Sequence, residues 1–292
     1  MRILHLSDPH LDGVDGPNGH GVNARESLRR ILLDCRAVQD IDVVVVSGDL
    51  ADDGSREAYT DVLELIGGFA RERRVPAIFS TGNHDERQAF TDVLGSGHVD
   101  ATGTDHPADL LSSADGERAA ISRVGGYRIV SLDSLVPGKG YGRISRAQLD
   151  WLHEALTEPA PNGTILAFHH PPIALDVEVQ RALGLRNAAE LAEAIRGTDV
   201  QLILCGHFHL QIFGHLELTP VWVTPGVVSR IDLTATAGTE RAVRGASATV
   251  VDVGGPHSPL LHVLHARDPH AGQTVYELDA GQLGAVIARL GP

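Results

Sequence analysis

The chain has 292 residues, a formal net charge of −14 and 42% hydrophobic residues. That length holds one large domain or two small ones and buries a sizeable core. The acidic balance excludes sequence-independent nucleic-acid binding, which runs on clustered Lys and Arg. Cys35 and Cys205 are the only cysteines and form no CxxC pair, which suits a reducing compartment better than a disulfide framework. Charge follows Met1 too soon for a secretory h-region, and no run approaches the ~18 apolar residues of a membrane span. The expectation is a cytoplasmic protein without stable membrane insertion. One oddity remains, 16 His against 6 Phe.

Ile3 to Leu6 is a short apolar run that predicts a buried strand ending in Ser7-Asp8-Pro9-His10. After a glycine-rich loop, Asn23 with Glu26 three residues on predicts a capping box, and Leu28, Ile31, Leu32, Cys35 and Val38 give the helix its stripe. Val43 to Val46 predicts a central parallel strand ending in Ser47-Gly48-Asp49. Ser55 opens a helix with the stripe Tyr59, Val62, Leu63, Ile66 and Phe69; the strand Pro76 to Ser80 then ends in Thr81-Gly82-Asn83-His84-Asp85. This alternation predicts an α/β domain with its site at the C-terminal ends of the strands.

Residues 95–117 read as an irregular surface excursion, and Ala120 to Val124 with Tyr127 to Leu132 as a hairpin turning at Gly125-Gly126. Ser145 with Gln148 opens another helix, Thr164 to Phe168 is a strand ending in His169-His170-Pro171-Pro172, and Asn187 with Glu190 opens a helix closed by Gly197. The run Val200 to Leu204 then ends in Cys205-Gly206-His207-Phe208-His209. In extended backbone the two histidines share a face, so both imidazoles reach one small volume. Beyond Leu210 short β-rich runs predict a largely antiparallel sheet closing against the first half. With no linker or repeat in view, residues 1–268 are expected as one domain and 269–292 as a loosely attached tail with a short helix.

Five strand ends thus offer Asp8 and His10; Asp49; Asn83 and His84; His169; and His207 and His209. Imidazole, carboxylate and amide without thiolate suit first-row ions such as Mn, Fe or Zn. The donors exceed what one tetrahedral zinc takes and suit two ions sharing a bridging carboxylate.

Asp8-x-His10, Gly48-Asp49, Gly82-Asn83-His84-Asp85, His169 and Gly206-His207-x-His209, in this order, resemble the five blocks of the calcineurin-like metallophosphoesterase superfamily over roughly residues 1–265. The wording of the second, fourth and fifth blocks is similar to class III cyclic nucleotide phosphodiesterases, the mycobacterial ones in particular. The resemblance implies an α/β sandwich of two mixed β-sheets flanked by helices. It implies two divalent or first-row ions, iron and manganese ahead of zinc, cobalt or nickel. Asp8, His10, Asp49 and His209 would hold the first, and Asp49, Asn83, His169 and His207 the second, with Asp49 bridging. Substrate contacts would come from His10, Asp49, Asn83, His84 and His209. His84 would stabilise or protonate the leaving oxygen, with Asp52 orienting it.

The implied activity is hydrolysis of 3′,5′-cyclic nucleotides, cAMP to AMP, by a hydroxide shared between the ions. A broader phosphodiesterase acting on 2′,3′-cyclic nucleotides or glycerophosphodiesters is the alternative, and a metal-supported scaffold without catalysis a remote one. A small phosphodiester is therefore the expected partner, and a homodimer is possible. The resemblance also implies a histidine near the substrate in the 137–142 loop, where Lys139 and Tyr141 stand instead. Asp85 reads as a loop residue capping the following turn, Asp53 as solvated and His5 as a hydrogen-bonded core histidine. His170 reads as packing or as support beside the site, and His20 as an exposed loop residue with substrate contact as the alternative.

Overall fold

The computed structural model describes residues 1–292. Strand β1 (Arg2–Leu6) leads through the glycine-rich loop to helix α1 (Ala24–Cys35). Asn23 caps α1, its side chain accepting from the Glu26 N–H at 2.9 Å. The Glu26 carboxylate turns outward to Arg30, so the expected capping box is only half formed. Strand β2 (Val43–Ser47) precedes α2 (Arg56–Val62), which runs through a π-helical turn at Leu63–Gly67 into α3 (Gly68–Arg73). Next come β3 (Ala77–Ser80), α4 (Arg87–Leu94), β4 (His98–Val99) and β5 (Asp109–Ser112).

The hairpin β6 (Arg118–Val124) and β7 (Tyr127–Ser131) turns at Gly125 and Gly126, whose φ of 55° and 81° is the conformation a tight primed turn requires. Then follow α5 (Arg146–Ala155), β8 (Thr164–Ala167), α6 (Glu178–Leu183), α7 (Ala188–Ile195) and β9 (Val200–Cys205). The last third holds β10 (Ile212–Leu216), β11 (Thr219–Val223), β12 (Arg230–Ile231), β13 (Glu240–Val243), β14 (Ser247–Asp252), β15 (Leu260–His265), β16 (Thr274–Leu278) and α8 (Ala280–Leu290).

Two mixed sheets, ordered β15-β14-β1-β2-β3-β4 and β10-β11-β9-β8-β7-β6-β5, lie face to face, and a small third sheet is β12-β13-β16. Strand alternation explains the layers. Ile3, Val43, Val45 and Ile78 pack against Ile129, Ile165, Leu202 and Leu204 between the sheets. Leu4, Leu6, Val44 and Val46 point the other way, onto the stripes of α1 through α4. Val130, Leu166 and Ile203 of the second sheet cover α5 and α7 through Leu149, Leu152, Leu191 and Ile195. Strands buried on both faces read as continuous apolar runs, which is the character of β2.

Two expectations need correction. The late β-rich runs do not gather into one antiparallel sheet: only β12, with β13 and β16, forms a small separate antiparallel one. β14 and β15 return to pair antiparallel beside β1, and the middle of the second sheet, β7-β8-β9-β11, is parallel. The 95–117 stretch is not wholly irregular either: β4 extends the first sheet and β5 the second. Both results come from long-range pairing, which local polarity does not encode. At the C-terminus β16 pairs with β13, and the last residues are tied to the 137–142 loop. There the Gly140 N–H donates to the Leu290 carbonyl and Lys139 Nζ to the Gly291 carbonyl, each at 3.0 Å.

Candidate metal centre

The C-terminal ends of β1, β2, β3, β8 and β9 converge, and every sequence-predicted donor sits there. Main-chain bonds lock the ends side by side: the Asp8 N–H donates to the Gly48 carbonyl at 3.1 Å and the His10 N–H to the Asp49 carbonyl at 3.0 Å. Two glycines make the convergence possible. A Cβ on Gly82 would collide with the Asp49 carboxylate, and one on Gly206 with the Ser7 side chain. Asp8, His10, Asp49, His207 and His209 all have φ between 46° and 73°, five of the eight non-glycine residues in the left-handed region. Such strain persists only where the surroundings over-determine it, and it gathers at working sites. The His207-x-His209 pair is therefore a left-handed turn, not the extended segment expected, and its imidazoles diverge.

His209 Nε2 stands 3.2 Å from Asp8 Oδ1, and the His209 ring lies 5.3 Å from that of His10. The His207 ring instead lies 5.0 Å from His169 and 4.6 Å from His170. Asp49 sits between the two groups, its Oδ2 3.5 Å from His10 Nε2 and 3.1 Å from His169 Nε2. Donor atoms within 4.8 Å of one another occur as Asp8, His10 and His209; His10, Asp49 and His84; Asp8, Asp49 and His169; and His169, His170 and His207.

The far sides of the rings are held. His169 Nδ1 donates to the Ser47 carbonyl at 2.7 Å, and His10 Nδ1 lies 2.8 Å from Asp52 Oδ1. These bonds commit each Nδ1 as donor and turn each Nε2 lone pair toward the centre, as ligand histidines require. His10 Nε2, His169 Nε2 and Asn83 Oδ1 are buried and have no hydrogen-bond partner. Buried acceptors without donors are rare and costly, and here they converge with two carboxylates on a space that a cation satisfies.

Burial opposes ionisation of Asp8 and Asp49, but the imidazoles of His209 and His169 outweigh it and hold both carboxyls below the ordinary range. Burial likewise disfavours charge on His169, and Asp49 reverses this, raising its pKa to about 9. His84 balances in the same way, burial against Asp49 and Asp52, and is raised to about 10. Its side chain is 41% exposed and its Nδ1 is 3.0 Å from Asp52 Oδ1. Asp52 thus serves two rings, that of His10 as well as the expected His84. The His84 N–H also donates to Asp49 Oδ1 at 2.9 Å.

Asp85 does not cap the following turn; Glu86 does, accepting from the Gln88 and Ala89 N–H groups. Asp85 is buried and accepts from the N–H groups of Gly82, Leu50 and Ala51 and from the Tyr59 hydroxyl, tying the Asp49 loop to the Asn83 loop. His5 is a core histidine bonded to Ser47, and Asp53 holds the Gly13 and Ser55 N–H groups. His170 is buried with its Nδ1 on Ser134, beside His169 and His207. His20, Tyr276 and Leu290 line the cavity over the donors, whereas Lys139 and Tyr141 do not. Nothing local in the sequence pointed to Tyr276 or Leu290.

A sandwich of this kind with paired His and Asp donors at its strand ends defines a metal-dependent phosphoesterase. Residues 1–211 match the family model described as calcineurin-like phosphoesterase, and the chain belongs to that family. It is 36% identical over 245 residues to a probable cyclic nucleotide phosphodiesterase of Rhodococcus erythropolis, spanning 84% of this chain and 76% of that protein. It is 37% identical over 246 residues to a cAMP/cGMP dual specificity phosphodiesterase of Mycobacterium tuberculosis, spanning 84% and 73%. Among solved structures, a purple acid phosphatase from yellow lupin shares the fold with a TM-score of 0.55 at 16% identity, covering 100% of this chain and 56% of that one.

Proposed function

We propose that the protein is a cyclic nucleotide phosphodiesterase that hydrolyses 3′,5′-cyclic nucleotides at a two-ion centre. The observation that carries the reading is the convergence of three unpartnered buried acceptors, on His10, His169 and Asn83, with the Asp8 and Asp49 carboxylates. Asp8, His10, Asp49 and His209 would hold one ion and Asp49, Asn83, His169 and His207 the other, with iron and manganese suited to this donor set. Bound there, the ions offset phosphate charge and make water a nucleophile at neutral pH. The chain's own residues do the rest. His84, its Nδ1 3.0 Å from Asp52 Oδ1, faces the cavity beside the donors and would deliver a proton to the departing ribose oxygen. Water oxygen is added to phosphorus, the ester bond breaks, and the nucleoside 5′-monophosphate leaves.

Residues 1–268 form the metallophosphoesterase domain in this reading, and the C-terminal tail 269–292 lends Tyr276 and Leu290 to the wall of its cavity. Two free buried cysteines suit a cytoplasmic location, and no helix is long and apolar enough to cross a membrane. The test is turnover of 3′,5′-cAMP, 2′,3′-cAMP and glycerophosphodiesters with and without added Mn²⁺, with Asn83→Ala as control. Metal-dependent turnover led by the 3′,5′ substrate is the expected result. A lead for 2′,3′-cAMP would move the assignment to the broader phosphodiesterase, and no turnover of any diester would leave the scaffold reading.

A further inference from the structure

Beside the cavity over the metal donors lies a second one of about 330 Å³, within the ~300–1,000 Å³ of typical small-ligand sites. The two adjoin, sharing His20, His84, Leu183, His207, Tyr276 and Leu290 in their linings. Nine of the fifteen residues around the second cavity are apolar. Its outer wall comes from β13, β16 and α8, all beyond residue 211 where the family match stops. At the junction the rings of His20 and Tyr276 stand 5.2 Å apart, tilted by 49°. The one acidic residue in the lining is Glu240, half-buried and bonded only by the Tyr276 hydroxyl at 3.4 Å. Arg289 lines the same cavity without forming a salt bridge to Glu240, and burial raises the Glu240 pKa against the smaller opposing pull of His209.

We propose that this side cavity receives the purine base of the substrate and that Glu240 makes it prefer guanine to adenine. The inference rests on the cyclic-nucleotide reading and extends it from the phosphate to the base. An apolar slot with a tyrosine on one side suits any base, because every base has a π face to stack. An ionised carboxylate only accepts hydrogen bonds. Guanine presents two adjacent donors, N1–H and the exocyclic amine, and satisfies both carboxylate oxygens. Adenine sets an acceptor, N1, beside its amine and leaves one oxygen facing a lone pair. A polar edge left unpaired in a desolvated slot is what discriminates strongly between otherwise similar ligands. Position supports the assignment as well. The cavity begins at His84 and His207, so a phosphate held over the metal donors has its nucleoside directed into it.

The test is kcat/KM for 3′,5′-cGMP and 3′,5′-cAMP with wild type and Glu240→Gln, together with binding of guanosine and adenosine to both proteins. Wild type is expected to favour cGMP by about tenfold or more. Glu240→Gln, whose amide carries one donor and one acceptor, should reduce that ratio by about tenfold by improving the match to adenine. A purely structural fault would lower both substrates alike and leave the ratio where it was. A wild-type preference for cAMP, or an unchanged ratio in the variant, would overturn the proposal. Nucleoside binding separates this inference from the catalytic one. Guanosine bound more tightly than adenosine, with the difference lost in Glu240→Gln, supports the base pocket even if neither cyclic nucleotide is turned over. Equal or absent binding of the two nucleosides removes the pocket whatever diester the enzyme cleaves.

Discussion

Asp49 Oδ2 lies 3.1 Å from His169 Nε2, and because His169 Nδ1 donates to the Ser47 carbonyl, a neutral His169 can only turn a lone pair toward that carboxylate. Two acceptors at this distance repel unless a cation stands between or beside them. A proton does this in the metal-free chain, which is why Asp49 draws the His169 pKa up against burial. A metal ion does it better, since it also satisfies His10 Nε2 and Asn83 Oδ1. Metal binding should therefore stabilise the fold markedly, by ~2.7 kcal/mol per site at a free ion concentration 100 times its Kd. Thermal unfolding after chelation and after Mn²⁺ restoration measures this, and Asp49→Asn should abolish the metal-dependent shift. An unchanged Tm in wild type would contradict the centre.

Asp52 accepts from both His10 and His84, so its removal should show two effects that His84 variants separate. Asp52→Asn is expected to weaken metal affinity by about 10- to 100-fold through His10. It should also lower kcat through His84. His84→Ala should leave metal affinity near wild type. It should slow diesters with poor leaving groups by about 10²–10⁴ and the p-nitrophenyl ester much less, because p-nitrophenolate departs without a proton. Equal losses on both ester types would remove the proton-donor role.

The five donor-bearing strand ends were legible in the sequence because each follows a short apolar run that stops at a polar or glycine-containing turn. In α/β sheets that is where function collects. The pairing partners were not legible. β14 and β15 carry the same Val and Leu alternation wherever they dock, and only the finished sheet places them beside β1. Asn187 shows the limit of cap reading: its side chain bonds the Ile144 main chain at both N–H and carbonyl and makes no cap contact. Tyr276 and Glu240 reach the site only through the β13–β16 pairing and the docking of α8. No periodicity marks such residues in advance.

Asp85 should be worth more to the site than its distance from the chemistry suggests. Its carboxylate accepts from three main-chain N–H groups on two loops and from Tyr59. Asp85→Asn replaces one acceptor by a donor that faces those N–H groups, leaving buried donors unpaired at a cost of about 1–3 kcal/mol. The expected outcome is a lower urea midpoint together with weaker metal binding, because Asp49 and Asn83 lose their common brace. Tyr59→Phe removes the hydroxyl that donates to Asp85 and accepts from the Glu86 N–H at 2.7 Å, and should cost about 1–3 kcal/mol. Asp85→Asn with wild-type metal affinity would show the brace to be dispensable.

Acid sensitivity should trace in part to His98, far from the metal donors in sequence and buried on β4. Its Nδ1 and Nε2 each lie 2.8 Å from a serine hydroxyl, of Ser122 and Ser131, so β4 is joined through it to β6 and β7 of the other sheet. Burial lowers its pKa from 6.5 to about 3. Between those values the unfolded chain binds the proton and the folded chain does not. Stability contributed by the neutral ring is therefore complete above about pH 6.5 and is lost as pH falls toward 3, by at most ~1.4 kcal/mol per pH unit. In His98→Gln, which cannot take up that proton in either state, stability from urea unfolding should fall less steeply from pH 6.5 to 4. The difference from wild type should correspond to about one proton, since the carboxylates and ligand histidines are common to both proteins. Parallel curves would mean that His98 titrates alike in the folded and unfolded chains, and that its place between the sheets carries no acid liability.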